Sequence, residues 1–431
     1  MRIVHLFVLL FVLTACAAPL TSPPEAAPPT RAPAQANLSS GRLVSPLQPR
    51  LWLITDPSAV LSAAAANAVI AEPPSAPPSG VPHKFVSEWI NTALKFIARD
   101  GLPPTRAARE LMLVSVALND ALIIGRDADQ EQRIDNTALL AGAMWPVLRY
   151  LHPQHSETID RYVHESRWLG LWLRNPAPPE RIERSFQIGR AVGESIVEWA
   201  QQDGSDAVRE ITLPASGGWN TKKLPLDPHW GAVKTIALPA GDAIVLPPPP
   251  AWESNEMETE RTAFQAAQKV LTDEHRELAW YWHADVGTVT PPGLWFETAI
   301  TMALVNKLDE AQTASLLAHL GVAMHDTAVV CWHNKYLYGF KRPEQWMAEV
   351  EPAWKPVLPT PPHPSYPSGH AAFSTAAADI LIVAFPHHEQ LLAERAADAT
   401  RSRIIGGVHW FMDALQGMAL GHDVARYVLT R

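Results

Sequence analysis

Cysteine is almost absent: Cys16 and Cys331 are the two in 431 residues, so no disulfide framework holds the chain together. Neither a Cys-x-x-Cys pair nor His-Glu-x-x-His occurs, which removes the common zinc signatures despite seventeen histidines. Strand-like alternation is scarce and helical spacing dominates. The expected fold class is therefore all-α, with two packed helical bundles joined by long Pro-rich loops. An excess of positive charge is also missing. The formal charge of -9 argues against nucleic acid as a partner while leaving room for a local basic pocket. Beyond the first residues no stretch reaches about 18 uninterrupted apolar residues, so the mature body is expected to be soluble.

What is present is a 47% hydrophobic content, enough to bury one large core or two ordinary ones. Forty prolines cluster near 19–50, 73–82, 247–250 and 359–367, and such clusters mark linkers or rigid loops. The chain opens "MRIVHLFVLLFVLTACAAP". Arg2 supplies a positive start and Ile3 to Leu13 an apolar core too short to span a bilayer permanently, which is the pattern of a targeting segment. The "LTAC" ending resembles the lipobox of bacterial lipoproteins. That resemblance implies a signal peptide over 1–15, cleavage before Cys16 and a diacylglycerol on its sulfur, leaving an exported protein held at the cell envelope by lipid alone. A plain secretory signal is the alternative. Residues 16–50 are a Pro/Ala-rich tether with too few large apolar side chains to bury a core.

Helical spacing then covers 85–99, 105–124 (Thr105 capping, Gly125 ending), 133–151, 155–173 and 178–203. These form an N-terminal helical region, 51–254, with an irregular insert near 207–254 that leaves room for a short strand pair. Helical pattern returns over 256–283, 291–306, 309–337, 370–385, 388–401 and 410–429, within a second helical domain, 255–431. "LVSVALNDALII" (113–124) and "LGVAMHDTAVV" (320–330) share a small-apolar-polar-Asp pattern, the mark of a duplicated core helix or of an alanine-rich coincidence. Cys331, in an apolar helical run, reads as a buried thiol.

Three stretches of the second domain carry chemistry. In "KYLYGFKRP", Lys335 ends a helix and Arg342 follows before Pro343, so two cations can reach one anion, or merely complement a helix C-terminus. In "HPSYPSGHAAF", Ser368 is placed to cap a helix whose first N–H groups, Gly369 included, can hold an oxyanion. His370 stands beside that position, where it can move a proton. In "SRIIGGVHWFMD", Arg403 precedes a Gly406-Gly407 bend. Asp413 falls one helical turn after His409, where it can accept the Nδ1–H and leave Nε2 as a free lone pair.

Lys-x6-Arg-Pro, Pro-Ser-Gly-His and Ser-Arg-x5-His-x3-Asp, in that order, resemble the three-part signature of the phosphatidic acid phosphatase type 2 superfamily. This superfamily unites bacterial acid phosphatases, lipid phosphatases and vanadium-dependent haloperoxidases. The motifs cover about the last hundred residues; "ADVGTVTPPGLWFETA" (284–299) is less specifically similar to the haloperoxidase-like branch. The resemblance implies that Lys335, Arg342 and Arg403 neutralise the oxygens of a bound oxyanion and that Ser368 and Gly369 donate hydrogen bonds to it. His370 is then the general acid/base. His409, oriented by Asp413, is the vanadium ligand or the nucleophile toward phosphate. His363, five residues before Ser368, matches a histidine of the bromide-oxidising members and is a candidate on the halide side. The expected activity is a vanadate-dependent haloperoxidase using hydrogen peroxide and halide, bromide in particular. The alternatives are an acid phosphatase acting on phosphate esters without a cofactor, through a phosphohistidine, and an inactive lipid-anchored oxyanion-binding scaffold. No feature fixes an oligomeric state.

Overall fold

The computed structural model describes residues 47–66, 71–80, 82–128, 134–173, 175–208 and 213–431. Cys16 and the signal segment lie outside the described residues, as does nearly all of the tether. Among the described residues there are fourteen α-helices and no strand. The first six are α1 (Pro57–Ala66), α2 (Val86–Asp100), α3 (Pro104–Ala128), α4 (Asn136–Leu151), α5 (Ser156–Arg167) and α6 (Pro179–Gln201). Eight follow: α7 (Asn255–Lys269), α8 (Asp273–Tyr281), α9 (Thr290–Val305), α10 (Glu310–Tyr338), α11 (Pro343–Val350), α12 (Gly369–Ala384), α13 (Glu389–Ile405) and α14 (Phe411–Thr430). The all-α expectation holds. The strand pair does not: the insert forms turns and short 3-10 segments, and its one β-bridge joins Gly218 to Phe340.

Helices α3 and α10 are buried almost all round and pack on each other, as expected of helices apolar on every side. Helix α10 is long and apolar enough to cross a bilayer, yet its whole apolar window is buried inside the protein. Helices α4 and α6 pack on α3 and tightly on each other. A Cβ at Gly142 would lie 2.1 Å from the Phe186 carbonyl and one at Gly189 1.9 Å from that of Leu139, so only glycine permits this approach. Around α10 sit α9, α12 and α14, with α13 behind α12.

Several boundaries differ from the sequence reading. Thr105 does not cap α3, which begins at Pro104; its hydroxyl donates to Asp227 instead. The helix expected over 155–173 stops at Arg167 and a 3-10 segment, Leu169–Trp172, follows. The single helix expected over 256–283 is broken: α7 closes at Val270 and α8 restarts at Thr272, whose hydroxyl accepts from His275 N. A Thr-Asp cap here outweighs continuous helical spacing. Helix α3 passes through Gly125 to Ala128, because an interior glycine weakens a helix without ending it.

The similarity between 113–124 and 320–330 has a structural counterpart. Asn119 Nδ2 donates to the Arg50 carbonyl, and Asp120 accepts from the N–H groups of Trp52 and Leu53. Likewise His325 Nε2 meets the Lys234 carbonyl, and Asp326 accepts from Ile236, Ala237 and Leu238. In both bundles a buried polar-Asp pair on the central helix ties down a passing strap with the same offset, satisfying backbone groups that have no helix or sheet partner. The shared task favours duplication over coincidence. Farther along, Asn334 exchanges hydrogen bonds with Ile244 O and Leu246 N, and Trp332 and Tyr336 donate to Leu226 O. The irregular insert is thereby bound along α10 as far as Lys335.

Candidate active site

Each signature residue sits where a helix starts or ends. Lys335 lies in the last turn of α10, which stops at Gly339 in the left-handed region (φ 54°). Arg342 immediately precedes α11. Ser368 caps α12, its Oγ accepting from Ala371 N at 3.4 Å, and Gly369 and His370 form the first turn. Arg403 ends α13. Gly407 then takes φ 75°, reversing the chain so that His409 arrives just ahead of α14. Asp413 occupies the first turn of α14 and accepts the Trp410 N–H at 3.0 Å.

These termini converge. Arg342 is the hub: Nη1 lies 3.2 Å from His409 Nε2 and also donates to Val408 O, Nη2 lies 3.0 Å from His363 Nδ1, and Nε donates to His363 O at 3.0 Å. Asp413 Oδ2 accepts from His409 Nδ1 at 2.9 Å and from the Ser365 hydroxyl. The Nδ1–H tautomer of His409 follows, and its Nε2 lone pair is turned toward the Arg342 guanidinium. Ser368 N donates to the Asp413 carbonyl at 2.8 Å, joining the start of α12 to that of α14. Lys335 Nζ donates to the carbonyls of Pro364, Ser365 and Pro367, so it organises the loop that carries Ser368. Arg403 is held by Ser402 Oγ at 3.0 Å and Ala279 O at 3.1 Å, with no further hydrogen bond among the described residues. His370 Nε2 meets Trp282 O at 2.8 Å, which leaves Nδ1 as its open nitrogen.

The pocket carries surplus positive charge. Lys335, Arg342 and Arg403 are buried, and among the described residues none makes an ion pair with a carboxylate. Burial pulls Lys335 well below its usual range, Arg342 down to about 10 and Arg403 to about 9, with Arg342 also depressing both of the others. His363, His370 and His409 are pushed well below 6.5, first by burial and then by these cations. Burial raises Asp413, opposed by the Ser365 and Trp410 hydrogen bonds. The depressed cations and histidines share one remedy: an anion that accepts the cations' hydrogen bonds. Gly369 fits the same demand. A Cβ there would meet Trp332 at an ordinary 3.5 Å, so side-chain packing does not by itself require glycine, while its absence leaves the Gly369 N–H approachable.

Hydrogen bonds join Arg342, His363, His409 and Asp413 with the loops held by Ser368 and Lys335, while Arg403 and His370 are anchored to the segment after α8 at Ala279 O and Trp282 O; other residues join them. Ser365 was within the quoted loop without an assigned task. Trp332 lays its ring against His363, centroids 5.1 Å apart. Glu260, from α7, accepts the Phe411 and Met412 N–H groups at 3.0 and 3.3 Å and so caps α14 from outside. His283 and Asp285 border the site beside Arg403 and His370. Cys331 is buried as expected, its thiol pushed up to about 11.

Residues 315–391 match the family described as the VCPO second helical-bundle domain. Over 57 residues, 13% of the chain, non-specific acid phosphatases of Salmonella typhi and Salmonella typhimurium are 46% and 44% identical. The match spans 23% of the length of each phosphatase. Among solved structures, the first bacterial vanadium-dependent iodoperoxidase superposes with TM-score 0.68 at 21% identity, covering 81% of this chain and 97% of that one. A holo-type bacterial vanadium-dependent chloroperoxidase gives 0.59 at 14% identity, covering 78% and 93%.

Proposed function

For a chain of the haloperoxidase and phosphatidic acid phosphatase type 2 superfamily, we propose the activity of a vanadate-dependent haloperoxidase that oxidises halide, bromide in particular, with hydrogen peroxide. One observation carries the reading: His409 offers an Nε2 lone pair, its Nδ1 tied to Asp413, inside a set of buried cations that lack a carboxylate of their own. Vanadate would be held by that nitrogen, by Arg342, Arg403 and the charge of Lys335, and by the Ser368 hydroxyl and the Gly369 N–H. When bound, it supplies a Lewis acid that polarises the O–O bond of peroxide. Arg342 keeps His409 and His363 neutral, so both present lone pairs. His370 holds or releases a proton at Nδ1, because its other nitrogen is engaged by Trp282 O. Support for peroxidase chemistry comes from the shared fold, which runs through 97% of the iodoperoxidase and so takes in the N-terminal bundle.

The acid phosphatase remains the second reading, favoured by the 46% identity around the motifs. There His409 Nε2 forms a bond to phosphorus as the ester P–O bond breaks, and protonated His370 gives its proton to the leaving oxygen. Water then cleaves the P–N bond, releasing phosphate.

Purified protein assayed with and without vanadate, for bromide oxidation by peroxide and for phosphomonoester hydrolysis, tests the assignment. Vanadate-dependent halogenation is expected. Hydrolysis that vanadate abolishes selects the phosphatase, and neither activity with no oxyanion bound selects a scaffold. The first sixteen residues support export and anchoring through Cys16, which mass spectrometry of the mature N-terminal peptide tests.

A further inference from the structure

The turn between α13 and α14 carries the chain from Arg403 to His409, and its path decides whether the two side chains meet one guest. Within the turn, Val408 N donates to Arg403 O, and Leu358 N donates to Gly406 O from outside. Gly407 reverses the chain at φ 75°, and a Cβ there would lie 3.0 Å from the Trp354 ring. Past this point the turn leans on α7.

Three residues of α7 meet it. Glu260, Phe264 and Gln268 recur every four residues and so share one face of the helix. Gln268 Nε2 donates to Ile404 O at 2.8 Å, one residue after Arg403. The buried Phe264 ring packs on Trp410, the residue after His409, at 5.3 Å, and on Trp354 at 5.8 Å. Trp410 Nε1 in turn donates to Lys341 O, next to Arg342. Glu260 Oε2 accepts from Phe411 and Met412 N. The stripe thus holds the entry to the turn, the residue beyond His409 and the first turn of α14.

The Glu260 contact bears on chemistry through Asp413. The first N–H groups of a helix have no acceptor within it. At the start of α14 they are shared out: Asp413 Oδ2 takes Trp410 N while holding His409 Nδ1, and Glu260 takes the next two. Asp413 Oδ1 is buried without a hydrogen bond among the described residues, so that oxygen does not restrain the carboxylate from turning. With Glu260 gone, two unpaired donors of the same turn compete for it.

We propose that Glu260, Phe264 and Gln268 are positioning residues, which set the path from Arg403 to His409 and, by reserving Asp413 for His409, the direction of the Nε2 lone pair. This rests on His409 being the residue that meets the oxyanion. None of the three touches the guest; each acts through the backbone or the ring it holds.

The test uses full-length protein labelled with 15N-histidine, without vanadate, and inorganic phosphate as the probe. The 15N shifts of His409 read its tautomer, and a phosphate titration reads how well the site converges. Glu260→Ala is expected to mix in the Nε2–H form and to weaken phosphate binding about tenfold. Glu260→Gln, which keeps the acceptor, should retain the native tautomer and affinity. Gln268→Glu has the same shape but cannot donate to Ile404 O; it should weaken phosphate binding while leaving the tautomer alone, because it frees the Arg403 end of the turn. A merely structural role lowers the melting temperature without this split or the rescue by Gln. A folded Glu260→Ala variant with the native tautomer overturns the proposal, as does Glu260→Gln behaving like Glu260→Ala. Where Glu260→Ala fails to fold, unchanged phosphate affinity in Gln268→Glu overturns it. Native His409 shifts that ignore phosphate overturn the oxyanion reading alone, since the tautomer is read without a ligand.

Discussion

Arg342 Nη1 lies 3.2 Å from Nε2 of His409, while Nη2 of the same guanidinium lies 3.0 Å from Nδ1 of His363. One planar fork therefore aligns two imidazoles and, by its charge, keeps both neutral. Lysine cannot reproduce two divergent donors. Arg342→Lys is expected to keep the fold while lowering kcat by about 100- to 1000-fold, the scale of losing a preorganised donor. Steady-state assay beside a vanadate-binding titration checks it; unchanged affinity would deny Arg342 a place against the anion.

Asp413 dictates which nitrogen of His409 carries the proton. In Asp413→Asn the amide can turn its NH2 toward Nδ1, moving the proton to Nε2 and removing the lone pair from the pocket. The expected loss in kcat is about ten-thousandfold, as when the orienting aspartate of a serine-hydrolase triad becomes asparagine. The 15N shifts of His409 report the tautomer independently of activity.

Buried carboxylates set the pH dependence of stability. Glu260 is raised to about 7 and Asp120 to about 6, both mainly by burial. An acid whose pKa is higher folded than unfolded binds more protons in the native state, so stability falls as pH rises from the unfolded value, 4.5 for Glu260, through the folded one. Urea midpoints should therefore be higher at pH 5 than at pH 7.5. Glu260→Gln, which keeps an acceptor for the Phe411 and Met412 N–H groups, should shrink that difference by on the order of 1 kcal/mol. An equal pH dependence in the variant would remove Glu260 from the account.

A second network acts in the same direction. His152 is buried between Asp100 Oδ2 at 2.6 Å and Glu110 Oε1 at 2.9 Å. Its pKa is raised because the two carboxylates outweigh desolvation. A raised histidine contributes stability fully below 6.5 and loses it as pH climbs through the folded value. His152→Ala leaves Glu110 buried without its partner and should cost about 3 kcal/mol near pH 6. Adding Glu110→Leu should recover part of it. Chemical denaturation of the single and double variants measures both.

The Ser368 cap and the His409–Asp413 pair were legible because helix-terminus chemistry is local: the partners lie within four residues. The convergence on Arg342 was legible only as a resemblance, since no spacing rule brings 342 to 409. Glu260 carries no local signal. It lies on an amphipathic helix among other acidic residues, and its task exists only once α7 packs near the start of α14. The break at 270–272 also moves His283 out of a continuous helix over 256–283 and into the turn that follows α8. The signal for the break is local: in "LTDEH" Thr272 precedes Asp273 and Glu274, the pattern of a helix start.

The paired straps make the last prediction. Asp120 and Asp326 hold equivalent segments, but only the Asp326 strap leads into the insert that is bound along α10 as far as Lys335. Asp326→Ala strips the acceptor from three buried or half-buried N–H groups, Ile236, Ala237 and Leu238, each costing about 1–3 kcal/mol if no water replaces it. The strap near 234–240 should then open to protease under native conditions, and Trp332 and Tyr336 should lose their hold on Leu226 O. Because Trp332 packs on His363, activity should fall along with stability. Asp120→Ala removes a comparable anchor from residues 52–53 and should lower stability while sparing kcat. Limited proteolysis, melting temperature and kcat measured on both variants separate the two: equal loss of activity would mean that the straps support the fold alone and that the insert does not position the site.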